Sequence, residues 1–197
     1  MLTHCNAGSL ATSQYGTATA PLYISHEAGK SFRAYADETR PRWQGSRLTA
    51  WELSKSGIDT TILCDNMAAS LMAAGRVDVV LVGADRVVRS GDAANKIGTL
   101  PLAIVAAHFG VDFYVAFPSS TYDPALPDGT AIEIEQRDAS EVTHVDGRPV
   151  AAEGVRAWNP AFDVTPADLI TGYITEHGRF RSIAEVAGAI SRQSHVL

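Results

Sequence analysis

The sequence predicts an α/β fold: a doubly wound, mostly parallel sheet of Rossmann-like type, flanked by helices. Two observations lead there. Apolar runs alternate along the chain with helical patterns. The runs themselves are near-continuous in apolar character, as expected of parallel strands buried on both faces. A repeated strand–helix order makes each connection a right-handed crossover. At 197 residues, 46% hydrophobic and 19% charged, the chain suits one domain with a full core and is neither disordered nor fibrous.

Taken in order, strands are predicted over residues 2–5, 32–37, 60–65, 77–83 and 112–117. Helices are predicted between them, over 10–28, 47–56, 67–74 and 95–109. Gly29, Gly57, Gly75 and Gly110 stand where these helices would end and suit C-caps. The last third is less regular. Residues 131–136 could form another strand, and 151–164 read mostly as loop. A helix is expected over 166–177, with Thr165 as N-cap and Pro166 in the first turn. The tail from 179 to 197 is weakly amphipathic through Ile183, Val186, Ala187 and Ile190, and reads as a packed helix or a frayed end.

Composition and missing motifs exclude several functions. Lys and Arg number 16 against 22 Asp and Glu, a formal charge of −6, which argues against a nucleic-acid or anionic-membrane surface. No apolar stretch reaches the roughly 18 residues of a membrane span, and no signal-peptide pattern opens the chain. Cys5 and Cys64 are the only cysteines, so a disulfide scaffold is excluded and a reducing, cytoplasmic setting fits. The glycine fingerprints of dinucleotide and P-loop sites are missing, as is a nucleophile elbow. The six histidines are scattered, so no metal site and no cofactor are expected.

Open parallel sheets bind ligands beyond the carboxyl ends of their strands. Here each predicted strand feeds a polar cluster: His4-Cys5-Asn6-Ala7-Gly8, Asp37-Glu38-Thr39-Arg40-Pro41-Arg42, Asp65-Asn66, Gly83-Ala84-Asp85-Arg86 and Pro118-Ser119-Ser120-Thr121. Five clusters on one rim predict a concave site. The chemistry they offer is a thiol (Cys5), carboxylates (Asp37, Glu38, Asp65, Asp85), amides (Gln44, Asn95) and cations (Arg40, Arg42, Arg86, Lys96). A thiol and a carboxyl group suit proton transfer at carbon; cations and helix N-termini suit a phosphate. Structural readings compete with each. Cys5 could be packed, though Asn6 and Gly8 suggest a turn into a helix N-terminus, which would favour the thiolate. Asp85 could be a cap, Arg40 and Arg42 surface charges, Lys96 a solvated side chain, and Asp65-Asn66 the N-cap of the helix from Met67.

At these residues the sequence resembles 5-methylthioribose-1-phosphate isomerases, aldose–ketose isomerases of methionine salvage. The resemblance runs from Thr3-His4-Cys5-Asn6-Ala7-Gly8 through Glu38-Thr39-Arg40-Pro41-Arg42-Trp43-Gln44-Gly45 and Leu48-Thr49-Ala50-Trp51-Glu52-Leu53. It continues in Asp65-Asn66-Met67-Ala68-Ala69-Ser70, Gly83-Ala84-Asp85-Arg86, Asn95-Lys96-Ile97-Gly98-Thr99 and Asn159-Pro160-Ala161-Phe162-Asp163-Val164-Thr165-Pro166. Together these span residues 2 to about 178. The wider superfamily holds ribose-1,5-bisphosphate isomerases and regulatory subunits of the initiation-factor-2B complex. Those regulatory, ligand-sensing subunits generally lack the paired cysteine and aspartate that stand here as Cys5 and Asp85.

The resemblance implies that Cys5 and Asp85 are the catalytic pair and that Gln44, Asn95 and Lys96 contact a sugar phosphate. It implies a homodimer and no cofactor. In an aldose 1-phosphate the anomeric oxygen is blocked, so an acid must protonate the ring oxygen while C2 loses its hydrogen. Asp85 is assigned as the acid and Cys5 as the group acting at C2. An acid role requires apolar surroundings that raise the carboxyl pKa from about 3.9. The family's N-terminal domain, with an Arg-Gly-Ala-Pro loop that grips phosphate, has no counterpart here. Residues 1–178 are therefore read as the catalytic domain and 179–197 as a tail. The chain by itself is expected to fold but to turn over substrate poorly.

Overall fold

The structure, a computed structural model, describes residues 1–193. The chain opens with β1 (Leu2–Thr3), α1 (Ala20–Glu27) and β2 (Ala34–Asp37). Next come α2 (Ala50–Lys55), β3 (Thr60–Leu63), α3 (Ala68–Ala73) and β4 (Val79–Val82). A pair of strands, β5 (Arg86–Val88) and β6 (Ala93–Lys96), precedes α4 (Thr99–Phe109) and β7 (Asp112–Ala116). The last third adds β8 (Tyr122–Asp123), α5 (Ser140–Thr143) and the hairpin β9 (His144–Val145) and β10 (Arg148–Pro149). It closes with β11 (Phe162–Thr165), β12 (Gly172–Thr175), β13 (Gly178–Phe180) and α6 (Ile183–Gln193).

Seven strands form the main sheet in the order β13-β12-β7-β4-β1-β2-β3. All neighbours are parallel except the edge pair β12–β13. Alternate residues of the central strands face opposite layers. Leu2, Val80, Val82, Phe113 and Val115 pack with Met72 of α3, Leu102 and Ala106 of α4 and Val186 of α6. Ala34, Leu81 and Ala116 pack with Leu22 and Tyr23 of α1 and Leu53 of α2. Each central strand therefore reads as a continuous apolar run, because neither face meets water. A second, four-stranded sheet in the order β11-β6-β5-β8 stands beside the first.

All five predicted strands form, each shorter than expected, and the fold class is the predicted one. Four elements differ. Residues 10–19 are turns, and α1 starts only at Ala20. Gln14 and Gly16 adopt φ +46 and +79, left-handed positions that a right-handed helix cannot include, so the expected helix is broken there. The helix expected from Asn95 begins at Thr99, because Ala93–Lys96 is a strand paired on one side with β5 and on the other with β11. Residues 131–136 form no strand; Gln136 alone bridges to Pro160. Residues 151–164 are mostly loop, as expected, and lead into β11.

The helix expected over 166–177 is the fourth. Thr165 ends β11, a single 3-10 turn (Ala167–Leu169) follows, and β12 joins the main sheet. Thr171 docks that strand: its N–H donates to the Phe113 carbonyl at 2.8 Å, and its hydroxyl accepts from the Phe113 N–H at 2.9 Å. Proline and an N-cap residue signal a helix only if the residues after them favour one. Here Ile170, Thr171, Tyr173, Ile174 and Thr175 are β-branched or aromatic and favour a pleated sheet. The tail is helical through Gln193, with Val186 fully buried; its residues 194–197 lie outside the described residues.

Candidate active site

The winding of the main sheet reverses at β1. The chain builds outward through β2 and β3, then returns at β4 on the other side of β1 and continues to β7 and β12. A crevice opens beyond the carboxyl ends of two strands where the winding reverses. Cys5 follows β1 and Asp85 follows β4.

Cys5 has φ +63, a region uncommon for residues with a Cβ. Two threonines hold it there. Its N–H donates to Thr39 Oγ1 at 2.8 Å, and its carbonyl accepts from Thr49 Oγ1 at 2.6 Å. Thr39, just past β2, also has positive φ. Its N–H and that of Arg40 donate to the two oxygens of Asp65, each at 2.7 Å. Asp65 therefore buttresses this loop and makes no cap hydrogen bond to the following helix. Thr49 closes a π-helical turn (Gly45–Thr49) entered from Gln44. A Cβ at Gly45 would lie 1.7 Å from the Asp37 carbonyl oxygen, so only glycine lets this turn press against β2. The Gln44 amide oxygen is buried without a partner among the described residues, as an acceptor awaiting a ligand donor would be.

Residues 6–10 are tied down by Glu52, a role that sequence reasoning missed. Its buried carboxylate accepts from Asn6 Nδ2 (2.9 Å), Ser9 N–H (2.7 Å), Ser9 Oγ (2.8 Å) and Leu10 N–H (3.3 Å). The available signal was a glutamate one turn inside an otherwise apolar helix stretch.

The small sheet brings in the other side. The Asp85 N–H donates to the Ala94 carbonyl at 2.9 Å, placing Asp85 against β6, which ends in Asn95 and Lys96. Asn95 is buried and donates to Thr99 Oγ1 at 3.0 Å. Lys96 Nζ donates to the Ala161 carbonyl at 3.0 Å and lies 4.2 Å above the Phe162 ring. Burial pushes the Cys5 thiol up to about 11, against a downward pull from Lys96 and with a further push from Asp85. Cys5, Lys96 and Asp85 thus sit within one another's fields. No helix starts just after Cys5, the next beginning at Ala20, so the expected turn into a helix N-terminus, which would favour the thiolate, is not formed. With its pKa at about 11 the group is a neutral thiol at pH 7. Protein crowding pushes the Asp85 carboxyl above its ordinary value, while Lys96 pulls it down. The residue keeps an exposed side on the open rim, so its surroundings are only partly apolar.

The anion-holding groups expected of the rim are already engaged. Asp163 of β11 takes the N-terminus of α4, accepting from Gly98 N–H at 2.7 Å and Leu100 N–H at 3.0 Å. Arg40 donates to the carbonyls of Pro41 and Val142 and stacks 4.4 Å from the Trp43 ring. Arg42 pairs with Glu141, and Arg86 with Asp123. Lys96 is the cation placed beside Cys5 and Asp85. Among the described residues one cluster brings metal-ligating atoms together: His4, Asp37 and Asp65 converge within 4.8 Å. Protein partners already take the histidine nitrogens and both Asp65 oxygens, so hydrogen bonding accounts for it. Replacing Asp163 with Ala removes the cap of α4 and is expected to destabilise the fold by about 1–2 kcal/mol in chemical denaturation.

Residues 1–182 match the Initiation factor 2 subunit family. The chain belongs to that family. Within the family, the methylthioribose-1-phosphate isomerase of Pelotomaculum thermopropionicum is 58% identical over 178 residues, covering 90% of this chain and 49% of the relative. The crystal structure of 5-methylthioribose 1-phosphate isomerase from Pyrococcus horikoshii OT3 superposes with a TM-score of 0.92 at 43% identity, over 96% of this chain and 54% of that one. A structure described as the translation initiation factor eIF-2B, subunit delta, from A. fulgidus gives 0.90 at 45% identity, over 94% and 54%. The chain spans about half the length of these family members.

Proposed function

We propose that this chain is the catalytic part of an aldose–ketose isomerase acting on 5-methylthioribose 1-phosphate. The observation that carries the reading is the meeting of Cys5 and Asp85 across the sheet's switch point, with Lys96 in the field of both. The likeness to isomerases at 58% identity supports the substrate. Asp85, held protonated more readily than an ordinary aspartic acid, donates to the ring oxygen as the bond from C1 to that oxygen breaks. The hydrogen of C2 passes to C1, and the C2 hydroxyl becomes the ketone as its proton passes to the Asp85 carboxylate left by the first step, which restores the acid. Cys5 acts at C2. Lys96, Asn95 and Gln44 hold the sugar phosphate. Product formed in deuterated water separates the two routes for that hydrogen: label at C1 marks a proton route, its absence an internal hydride shift.

The test is conversion of 5-methylthioribose 1-phosphate to its ketose, followed by the ketone product. Absence of turnover, with the ligand still bound, would favour a ligand-sensing subunit, the reading supported by the likeness to the structure described as an initiation-factor subunit. Residues 1–197 expressed by themselves are expected to fold but to show kcat/KM at least about tenfold below the full-length Pelotomaculum relative. Arg42 and Arg86 are paired with carboxylates and Arg40 is held by two carbonyls and Trp43, which leaves Lys96 as the rim cation beside Cys5 and Asp85, and bidentate arginine contacts are the strong kind for phosphate. Equal values would show that the phosphate needs no other grip. We propose further that the enzyme is a cytoplasmic homodimer, which its mass in solution would test.

A further inference from the structure

We propose that the buried His4–Asp37 pair is the positioning element of this site, tying the Cys5 turn to the turn after Lys96 and so keeping the Cys5 thiol out of water. The tie is read from geometry alone; only the consequence for turnover rests on the isomerase reading.

His4 and Asp37 are 1% and 2% exposed. His4 Nε2 lies 2.8 Å from the Ile97 carbonyl oxygen, and Nδ1 lies 3.0 Å from Asp37 Oδ2. A carbonyl only accepts, so Nε2 bears a hydrogen and donates it. The contact at Nδ1 then needs one more hydrogen, carried by either atom. Imidazolium with carboxylate and imidazole with carboxylic acid hold the same number of protons, and in both forms the pair has no net charge. Burial pushes Asp37 upward. Burial pushes His4 down, but the hydrogen bond and charge of Asp37, together with the Ile97 carbonyl, outweigh it and hold His4 up. The charged groups facing the pair are Asp65, Glu38 and Asp163. Asp37 Oδ1 has no donor among the described residues.

The ring stands where the two halves of the site meet. His4 precedes Cys5, whose backbone is strained, and Ile97 follows Lys96. Gly98 has φ +103, and a Cβ there would lie 2.7 Å from His4 Cε1; the ring occupies the space that this glycine leaves. One imidazole thus joins the ends of β1, β2 and β6 by two directed bonds. An apolar side chain of equal volume would fill the space but hold neither turn.

The test reads the thiol directly. Alkylation of Cys5 by iodoacetamide is followed against pH on its own peptide by mass spectrometry, which separates it from the exposed Cys64. Asp37→Asn keeps both bonds, since its amide donates to Nδ1 while Nε2 still donates to Ile97. Asp37→Ala keeps only one. In Asp37→Asn the alkylation midpoint is expected to stay at about 11. In Asp37→Ala it should fall by a unit or more toward 9.0, because water reaching the loosened turn relieves the burial that raises it. Lys96 and Asp85 face the thiol with smaller, opposed effects. In turnover, Asp37→Ala should lose at least about tenfold in kcat, and Asp37→Asn should recover most of it. An unchanged midpoint in folded Asp37→Ala, or an equal fall in Asp37→Asn, overturns the proposal. Should Asp37→Ala fail to fold, Asp37→Asn carries the test, and a shift of a full unit in it overturns the tie. Alkylation needs no turnover, so an unsubstituted protein that fails to isomerise would refute the functional reading and leave the tie standing or falling by its own result.

Discussion

Replacing Asp85 with Asn is expected to lower kcat/KM with 5-methylthioribose 1-phosphate by a factor of about 10² to 10⁴, the usual loss when a general acid is removed. Cys5→Ser should fall in the same range. Both substitutions nearly conserve volume, so packing survives. The pH profile gives a second signature. An acid works only while protonated, so activity in the unsubstituted enzyme should fall as pH rises through the pKa of Asp85, which lies above its ordinary value. That limb should vanish in Asp85→Asn. Stability should move the other way. A carboxyl whose pKa is raised by folding is harder to ionise in the folded state than in the unfolded one. Wherever the pH lies above its raised value in the folded state, its ionisation weakens the fold, and the amide removes that penalty. Near-normal turnover in Asp85→Asn would end the acid assignment; a lower melting temperature would reveal a structural role instead.

The second large effect is on stability. Glu52→Ala is expected to destabilise the fold by about 3 kcal/mol, since each buried donor left without its acceptor costs about 1–3 kcal/mol and Ser9 and Leu10 can regain part of this from water. Calorimetry should show a drop in melting temperature of roughly 6–12 °C for a domain of this size. Glu52→Gln should lose less, because one amide oxygen can still accept while its NH₂ confronts the Ser9 and Leu10 donors. Both variants should also lose activity out of proportion to the fraction unfolded, as residues 6–10 continue directly from Cys5. A Glu52→Ala protein melting within 2 °C of the original, roughly 1 kcal/mol or less, would show that the loop is held by other contacts.

Much of the fold and of the rim was legible in the order of residues alone. The continuous apolar runs ending in Val82 and Ala116 announced strands covered on both faces, because burial on two sides removes the need for a polar alternate. The polar residues just past those runs announced the rim, because a parallel sheet delivers all its carboxyl ends to one side. Periodicity could not reveal the partners of β6 and β12. Ala93–Lys96 became a strand because β5 and β11 supply edges on both sides of it, and residues after Pro166 did so because Phe113 offers Thr171 a docking point. Nor could it show that Asp65, Glu52 and Asp163 spend their charge on backbone N–H groups 25 to 65 positions away. A carboxylate reads the same in sequence whether it awaits a ligand or caps a distant loop. The kinds of chemistry at this rim are therefore determined by the sequence alone. Which groups remain free, and that Cys5 is a thiol and not a thiolate, were decided by the tertiary structure, because burial and hydrogen-bond partners are set by residues far apart in the chain.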